Sequence, residues 1–417
     1  LFPYTTLFRS YLACVLVLGM PIMMAEFTVG RHSKASTGKA YSVLAPGTHW
    51  KWLGYLGVLA GFLILGYYSV VAGWTLEYIL EAGANEFANK RPDDFILAFE
   101  AFSQDPVRPL IWLVVFLLLT HFVIVKGVKD GIEKSSKILM PVLFILIILL
   151  AVCSLSLPNA EKGLEFLLKP DFSKVTGDVF LGAMGQAFFS LSLGMGCLST
   201  YASYFGKETK LGNTALSVGV IDTFVAVLAG VIIFPAAFSV GIQPDAGPSL
   251  IFITLPNVFQ QAFSGIPFLA YVFSVLFYVL LALAALTSTI SLHEVVTAFL
   301  HEEFAFTRGR AAKMVTFGCI LIGALSSLSL GVMQKYTLFD KGFFDLLDFV
   351  TAKIMLPLGG MLVCIFVGWY LKRSVSYAEL TNEGTLKAGF FNVYIFILRF
   401  IAPIGIALIF INELGLI

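Results

Sequence analysis

Charge is the first thing this sequence lacks. Only 13% of its 417 residues are Asp, Glu, Lys or Arg, and the formal net charge is +1. A soluble domain carries roughly 25% charged residues, so about half of the usual charge is absent, and nothing in the balance favours a nucleic-acid partner. Cysteine is sparse as well. The five thiols, Cys14, Cys153, Cys197, Cys319 and Cys364, fall inside apolar stretches without metal-ligand spacing, which reads as small buried hydrophobes. The fragment "HEVVT" at 293–297 begins like the zinc-protease pattern, but Thr297 replaces its second histidine, so that motif fails. No nucleophile or metal set for an intramembrane enzyme is visible. The opening decapeptide, LFPYTTLFRS, has no charged n-region, useful apolar core or small-residue cleavage site, so it is no targeting segment. What stands in place of charge is apolar: 58% of residues are hydrophobic and 40 are Phe. The chain reads as an all-α polytopic membrane protein.

A span needs about 20 mostly apolar residues. Ten are expected, near 11–29, 52–81, 109–126, 137–156, 179–205, 214–241, 266–300, 312–333, 345–371 and 391–412. The connection at 82–108 holds Glu86, Asp93, Asp94, Glu100 and Asp105, whereas alternate loops are basic: Arg31, Lys34 and Lys39; Lys126, Lys129, Lys134 and Lys137; Arg308, Arg310 and Lys313; Lys372 and Arg373. The positive-inside rule makes the basic loops cytoplasmic. The first span then runs inward. If the parent protein starts in the cytoplasm, an odd number of helices, most simply one, is expected upstream.

Two spans are interrupted. Residues 190–196, SLSLGMG, place two serines and two glycines at mid-membrane depth behind Phe188 and Phe189. Each glycine costs a helix about 1 kcal/mol against alanine, and unwound backbone survives in a bilayer only where protein or a wet cavity satisfies it. A small-residue packing face is the alternative. In "GIEKSSKILMP", Gly131 and Pro141 lie ten apart, marking a helix whose cytoplasmic end opens or merely a capped start. Three acids sit in apolar phase, where an ionisable residue costs about 2.5–3.5 kcal/mol at a span's centre. Glu26 could snorkel to the cytoplasmic interface, and Asp348 could face outer water. Asp222 has no Lys or Arg within ten residues on its helix, so it calls for a cation, worth about 4 kcal/mol at 4 Å and an effective dielectric of 20. The hydroxyl run Thr287, Ser288, Thr289 either bonds its own backbone or offers the oxygens a hard cation such as sodium prefers, by extension from calcium and magnesium.

Together, "YLACVLVLGMPIMMAEFTVGR", "GYYSVVAGWTLEY", "GVKDGIEKSSKILMP", "GQAFFSLSLGMGCLSTYASY", "DTFVAVLAGVIIFPAAF" and "LTSTISLHEVVTAFLHEE" resemble the bacterial neurotransmitter:sodium symporters, over essentially all of 11–417. The resemblance implies the fold for which that family is known, two inverted repeats of five helices with a broken helix six. Ten of eleven helices, two to eleven, would be present in one transmembrane domain. It implies a sodium-coupled symporter importing an amino acid or related small amine by alternating access across the plasma membrane of a bacterium. Tyr68 matches the position that contacts the substrate carboxylate, and Phe189 the aromatic lid. Ile64, Ser192, Gly194, Met195, Ser288 and Leu292 match pocket positions. Ser190 and Asp222 match the first sodium site; Ala284 by its carbonyl, Thr287 and Ser288 match the second. Tyr204 and Glu302 match the inner gate, Asp348 the acidic half of the outer gate, and Glu26 and Asp222 balance charge. Two sodium ions are expected and chloride is not.

The family's first helix carries Trp-Arg-Phe-Pro-Tyr and then an Asn-Gly-rich turn. Here Phe2-Pro3-Tyr4 mimics the signature, but the turn is absent, and the decapeptide back-translates into a common sequencing adapter. Residues 1–10 are therefore expected not to be natural protein, both gate arginines to lie in the absent helix, and the chain as given to be inactive. A proton-coupled amino-acid carrier of related fold is the alternative, and an ion channel a more distant one.

Overall fold

The computed structural model describes residues 5–88, 90–169, 177–240 and 250–413. Almost every described residue is helical or in a short connection, and the one β-bridge among them joins Leu338 to Lys341. We number the helices α1 (Ser10–Ser33), α2 (Thr37–Leu44), α3 (Lys51–Gly83), α4 (Pro92–Ser103), α5 (Arg108–Val125), α6 (Val128–Leu155), α7 (Ala160–Leu168), α8 (Gly177–Ser190), α9 (Cys197–Ala202), α10 (Leu211–Ser239), α11 (Leu255–Ala262), α12 (Pro267–Glu303), α13 (Arg308–Ser329), α14 (Phe343–Tyr370), α15 (Arg373–Leu380) and α16 (Phe391–Leu408).

Among the described residues, nine helices are long and apolar enough to cross a bilayer: α1, α3, α5, α6, α10, α12, α13, α14 and α16. The tenth expected span, 179–205, is cut into α8 and α9, each too short to cross alone. The acidic connection after α3 is also partly helical, since Pro92 opens α4 and the Asp94 carboxylate accepts from the Arg91 backbone. That is an ordinary proline-and-acid helix start.

Two apolar clusters organise the bundle. The larger is built around α3, which packs along α5, α12 and α13. The smaller gathers α1, α8, the cytoplasmic half of α14, and α16. The break between α8 and α9 joins them: Leu191 and Leu193 are buried in the smaller cluster, Met195 and Cys197 in the larger.

The Gly131–Pro141 stretch resolves into packing. Pro141 lies inside a continuous helix, and a Cβ on Gly131 would come within 2.0 Å of the Val123 carbonyl oxygen. The glycine lets α6 cross the end of α5 at backbone contact. Gly131→Ala is therefore expected to destabilise the protein by about 1–3 kcal/mol, as overpacking does. Gly309→Ala, whose Cβ would meet nothing within 4 Å, is expected to be neutral or slightly stabilising. Thermal unfolding of the detergent-purified variants checks this; equal midpoints would return Gly131 to a mere start signal.

Candidate functional site

The site begins as a problem of backbone polarity. After Ser190 the chain leaves the α-helix, and Ser192, Gly194 and Gly196 all take left-handed backbone, with φ of 56°, 78° and 77°. A non-glycine residue there is uncommon, and a glycine is the natural choice. The freed groups find specific partners. The Gly194 N–H donates to Glu26 Oε1 at 2.7 Å, and the Ser199 hydroxyl to Glu26 Oε2 at 3.4 Å. The Thr37 hydroxyl donates to the Gly196 carbonyl at 2.6 Å. Side chains would not fit: a Cβ on Gly194 would meet the Leu356 carbonyl oxygen at 2.4 Å, and one on Gly196 the Thr37 side chain at 2.7 Å. Glu26 is 1% exposed, which leaves no room for the snorkelling alternative: its carboxylate lies inside the protein and caps the break.

On the outer side of the break, Ser190 donates to both carboxylate oxygens of Asp222, at 2.9 and 2.8 Å. The Tyr11 hydroxyl donates to Asp222 as well and lies 3.2 Å from Ser190 Oγ. Asp222 thus faces from α10 towards α8 and α1, with one hydroxyl partner on each.

Beside the break lies a cavity of about 420 Å³. Ile64 and Tyr68 of α3, Phe189 and Ser190 at the end of α8, Ser192 and Met195 of the break, and Thr287, Ser288 and Leu292 of α12 all line it. The structure thus brings together residues from three separate stretches of sequence. Gly194 and Ala284, also expected here, are not among the lining residues. The Ala284 carbonyl accepts from the Thr287 hydroxyl at 2.8 Å and from Ser288 at 3.3 Å. These are the backbone bonds such residues often make, and each oxygen keeps lone pairs for the cavity. Thr289 turns the other way, to Thr120 at 2.8 Å. Gln186, Cys197 and Ser291 also line the cavity, and the sequence carried no signal that singled them out. Across Phe189 and Gln186 a second cavity, about 390 Å³, is walled by Asp348 and Lys353 of α14. There the Tyr67 hydroxyl donates to Asp348 at 3.1 Å.

The expected gate residues are placed apart. The Tyr204 hydroxyl donates to Glu294 at 2.7 Å, and Arg308 grips the same carboxylate through Nη1 at 3.0 Å and through Nη2. Glu302 instead accepts from the Ser36 backbone N–H at 2.7 Å. Glu294, fully buried, lies within the failed zinc motif and carries no other signal in the sequence, and the arginine on this cluster lies downstream at 308. Below it, Arg31 ties α1 to Glu379 at 2.6 Å and to the Thr209 carbonyl at 2.5 Å. Lys207 pairs with Glu383 at 2.6 Å and holds that carboxyl below the usual carboxylate range.

A bundle of membrane-crossing helices, one of them broken beside a cavity, is an architecture suited to a carrier of small solutes. Residues 99–416 match the model of the Sodium:neurotransmitter symporter family, and the chain belongs to that family. It is 36% identical to the uncharacterized sodium-dependent transporter YhdH of Bacillus subtilis, over 98% of this chain and 90% of the relative. It is 35% identical to an uncharacterized sodium-dependent transporter of Haemophilus influenzae, over 96% and 88%. Among solved structures it is similar to MhsT in complex with L-phenylalanine, at 41% identity and a TM-score of 0.89, covering 98% of this chain and 91% of that one. The protein is a multi-pass transporter of the plasma membrane, not an enzyme, and its fold is that of the sodium symporters.

Capping of the break by Glu26 has a measurable consequence. Glu26→Ala strands the Gly194 N–H in a dry interior, and unfolding stability should fall by about 1–3 kcal/mol. Glu26→Gln keeps an acceptor oxygen and should lose less. Thermal unfolding compares them; an unchanged Glu26→Ala protein would deny the carboxylate this role.

Proposed function

We propose that this transporter is a sodium-coupled symporter that imports an amino acid with an apolar side chain by alternating access. The observation that carries the reading is the cavity itself, which sets Tyr68, Phe189 and the unwound residues 192–195 opposite Thr287, Ser288 and Leu292. Tyr68 would meet the substrate carboxylate, and Phe189 would close over it. Ile64, Met195 and Leu292 supply the apolar surface for the side chain, with Ser192, Gly194 and Ser288 around it. The L-phenylalanine bound by the similar protein MhsT supports a substrate of that size and polarity.

Sodium is cargo here, and the oxygen sets suit a hard cation. Ser190 and Asp222 would serve the first ion, and the Ala284 carbonyl with Thr287 and Ser288 the second. Tyr204 and Glu302 would close the cytoplasmic side, and Asp348 the outer side. Glu26 and Asp222 would balance charge near the bound ions. Rocking of one repeat against the other then couples inward sodium flow to uptake. The proton-coupled carrier is separated from this reading by replacing sodium with choline in an uptake assay on the complete gene product. Uptake that persists in choline would favour it.

Asp222 makes chloride unnecessary, because a fixed carboxylate supplies the negative charge an anion would otherwise bring. Uptake is expected to persist when chloride is replaced by gluconate, and Asp222→Asn is expected to become chloride-responsive. Wild-type uptake that collapses in gluconate would rule this out.

Thr287 and Ser288 are adjacent, so their side chains leave α12 about 100° apart. Both can meet one ion only where it sits between helices. Removing the Thr287 hydroxyl should weaken sodium first and substrate through linkage. Thr287→Val is expected to raise the half-saturating sodium concentration several-fold, about the loss of one net hydrogen-bond-sized contact, with saturating sodium restoring much of the substrate affinity. An unaltered sodium dependence in a well-expressed variant would leave only the bond to Ala284.

A further inference from the structure

The arginines of the membrane-spanning helices are not treated alike. Arg31 has Glu379, Arg108 has Glu77 and Arg308 has Glu294, while Arg310, in the first turn of α13, lies over the Phe306 ring. Arg399, in the half of α16 that follows the cytoplasmic loop, has no carboxylate. Its Nε donates to the Gly368 carbonyl at 2.6 Å, and its guanidinium lies 5.0 Å over the Trp369 ring. Among the described residues its two terminal nitrogens make no hydrogen bond. No Asp or Glu occurs on α14 after Asp348 or between Phe391 and Leu408 on α16. The two acids between these helices are engaged elsewhere, Glu379 by Arg31 and Glu383 by Lys207.

The position is specific in depth and in direction. Gly368 and Trp369 form the last turn of α14, directly before Lys372 and Arg373, which the positive-inside rule puts on the cytoplasmic side. The surroundings face outward from the bundle. Trp369 is 55% exposed, and it stacks edge-on against Phe400, itself 42% exposed, with ring centroids 5.5 Å apart. Tryptophan and aromatic neighbours at this level mark the headgroup boundary. A guanidinium with one edge held by a carbonyl and one face held by an indole is fixed in orientation, and its free edge matches phosphate oxygens bidentately.

We propose that this face of α14 and α16 binds the phosphate of an anionic phospholipid of the cytoplasmic leaflet, with Arg399 as the principal ligand and Lys372 nearby adding charge. Trp369 and Phe400 supply the apolar shelf for the first carbons of the acyl chains. The lipid would complete the polar contacts that the protein leaves open on Arg399, and it would clamp α16 to the helix that carries Asp348. The site is independent of which substrate is transported.

Native mass spectrometry of the purified protein, delipidated and then titrated with dioleoyl-phosphatidylglycerol or dioleoyl-phosphatidylcholine, tests it. The wild type is expected to retain one phosphatidylglycerol in preference to phosphatidylcholine. Arg399→Gln is expected to weaken that binding about tenfold, and Arg399→Lys less, because Lys keeps charge but lacks the fork. Lys129→Gln, on the cytoplasmic side of another helix pair, should change nothing. Should Arg399→Gln fail to fold, Trp369→Leu removes the holding ring and leaves the cation, with a few-fold loss expected. Equal retention of the two lipids, undiminished binding to the variants, or an equal loss in Lys129→Gln would overturn the site. Displacement of the lipid by millimolar inorganic phosphate would overturn it too, assigning the arginine to a soluble anion.

Discussion

A bilayer offers backbone groups no water, so a span that breaks must find partners within the protein. Here that requirement falls on residues 190–196, and the hydrogen bond from the Gly194 N–H to Glu26 is its main answer. Around it the Thr37 hydroxyl holds the Gly196 carbonyl, and α14 approaches so closely that Gly194 and Gly359 can carry no side chain. Once the break is stabilised, α8 and α9 end at mid-depth with Ser190, Ser192 and Met195 turned towards one cavity.

The break is also where the two apolar clusters meet, so its geometry links the part of the bundle built on α3 with the part built on α1 and α16. Thr37 extends that link to the cytoplasmic helix α2, and Glu302 bonds the same segment through the Ser36 N–H. A second set of contacts, Tyr204 with Glu294 and Arg308, fixes the chain just beyond α9 to α12 and α13. Burying such a pair stabilises little by itself, because desolvation offsets much of the attraction. Breaking it by removing one partner is costly, because it leaves a buried charge unpaired.

Much of this is legible in the amino-acid sequence alone. Length and apolar runs give nine of the ten spans, because hydrophobic length alone decides insertion. The glycines and serines of 190–196 point to the break, since their helix propensity is poor and a bilayer does not tolerate that without cause. Glu26 leaves two readings open in the sequence because its distance along the helix also allows an interface; only the fold puts Gly194 opposite it. Glu294 is hidden differently. It follows His293 in a fragment whose spacing is wrong for a metal, and its partners Tyr204 and Arg308 lie 90 and 14 residues away. Arg308 itself reads from sequence as one more cytoplasmic loop charge. Tertiary pairing over such distances leaves no periodic trace, so a single sequence cannot report it.

Symport through this cavity requires residues 190–196 to be unwound backbone, held by side chains and available to ligands. Hydrogen–deuterium exchange across 177–202 in lipid nanodiscs tests this most directly. Without sodium and substrate, the amides of the break should exchange faster than those of α9, with Gly194 slowed by Glu26 and released in Glu26→Ala. Sodium with an apolar amino acid should slow exchange across the break. Uniformly slow exchange through 177–202, unchanged by ions, amino acid or the loss of Glu26, would contradict it.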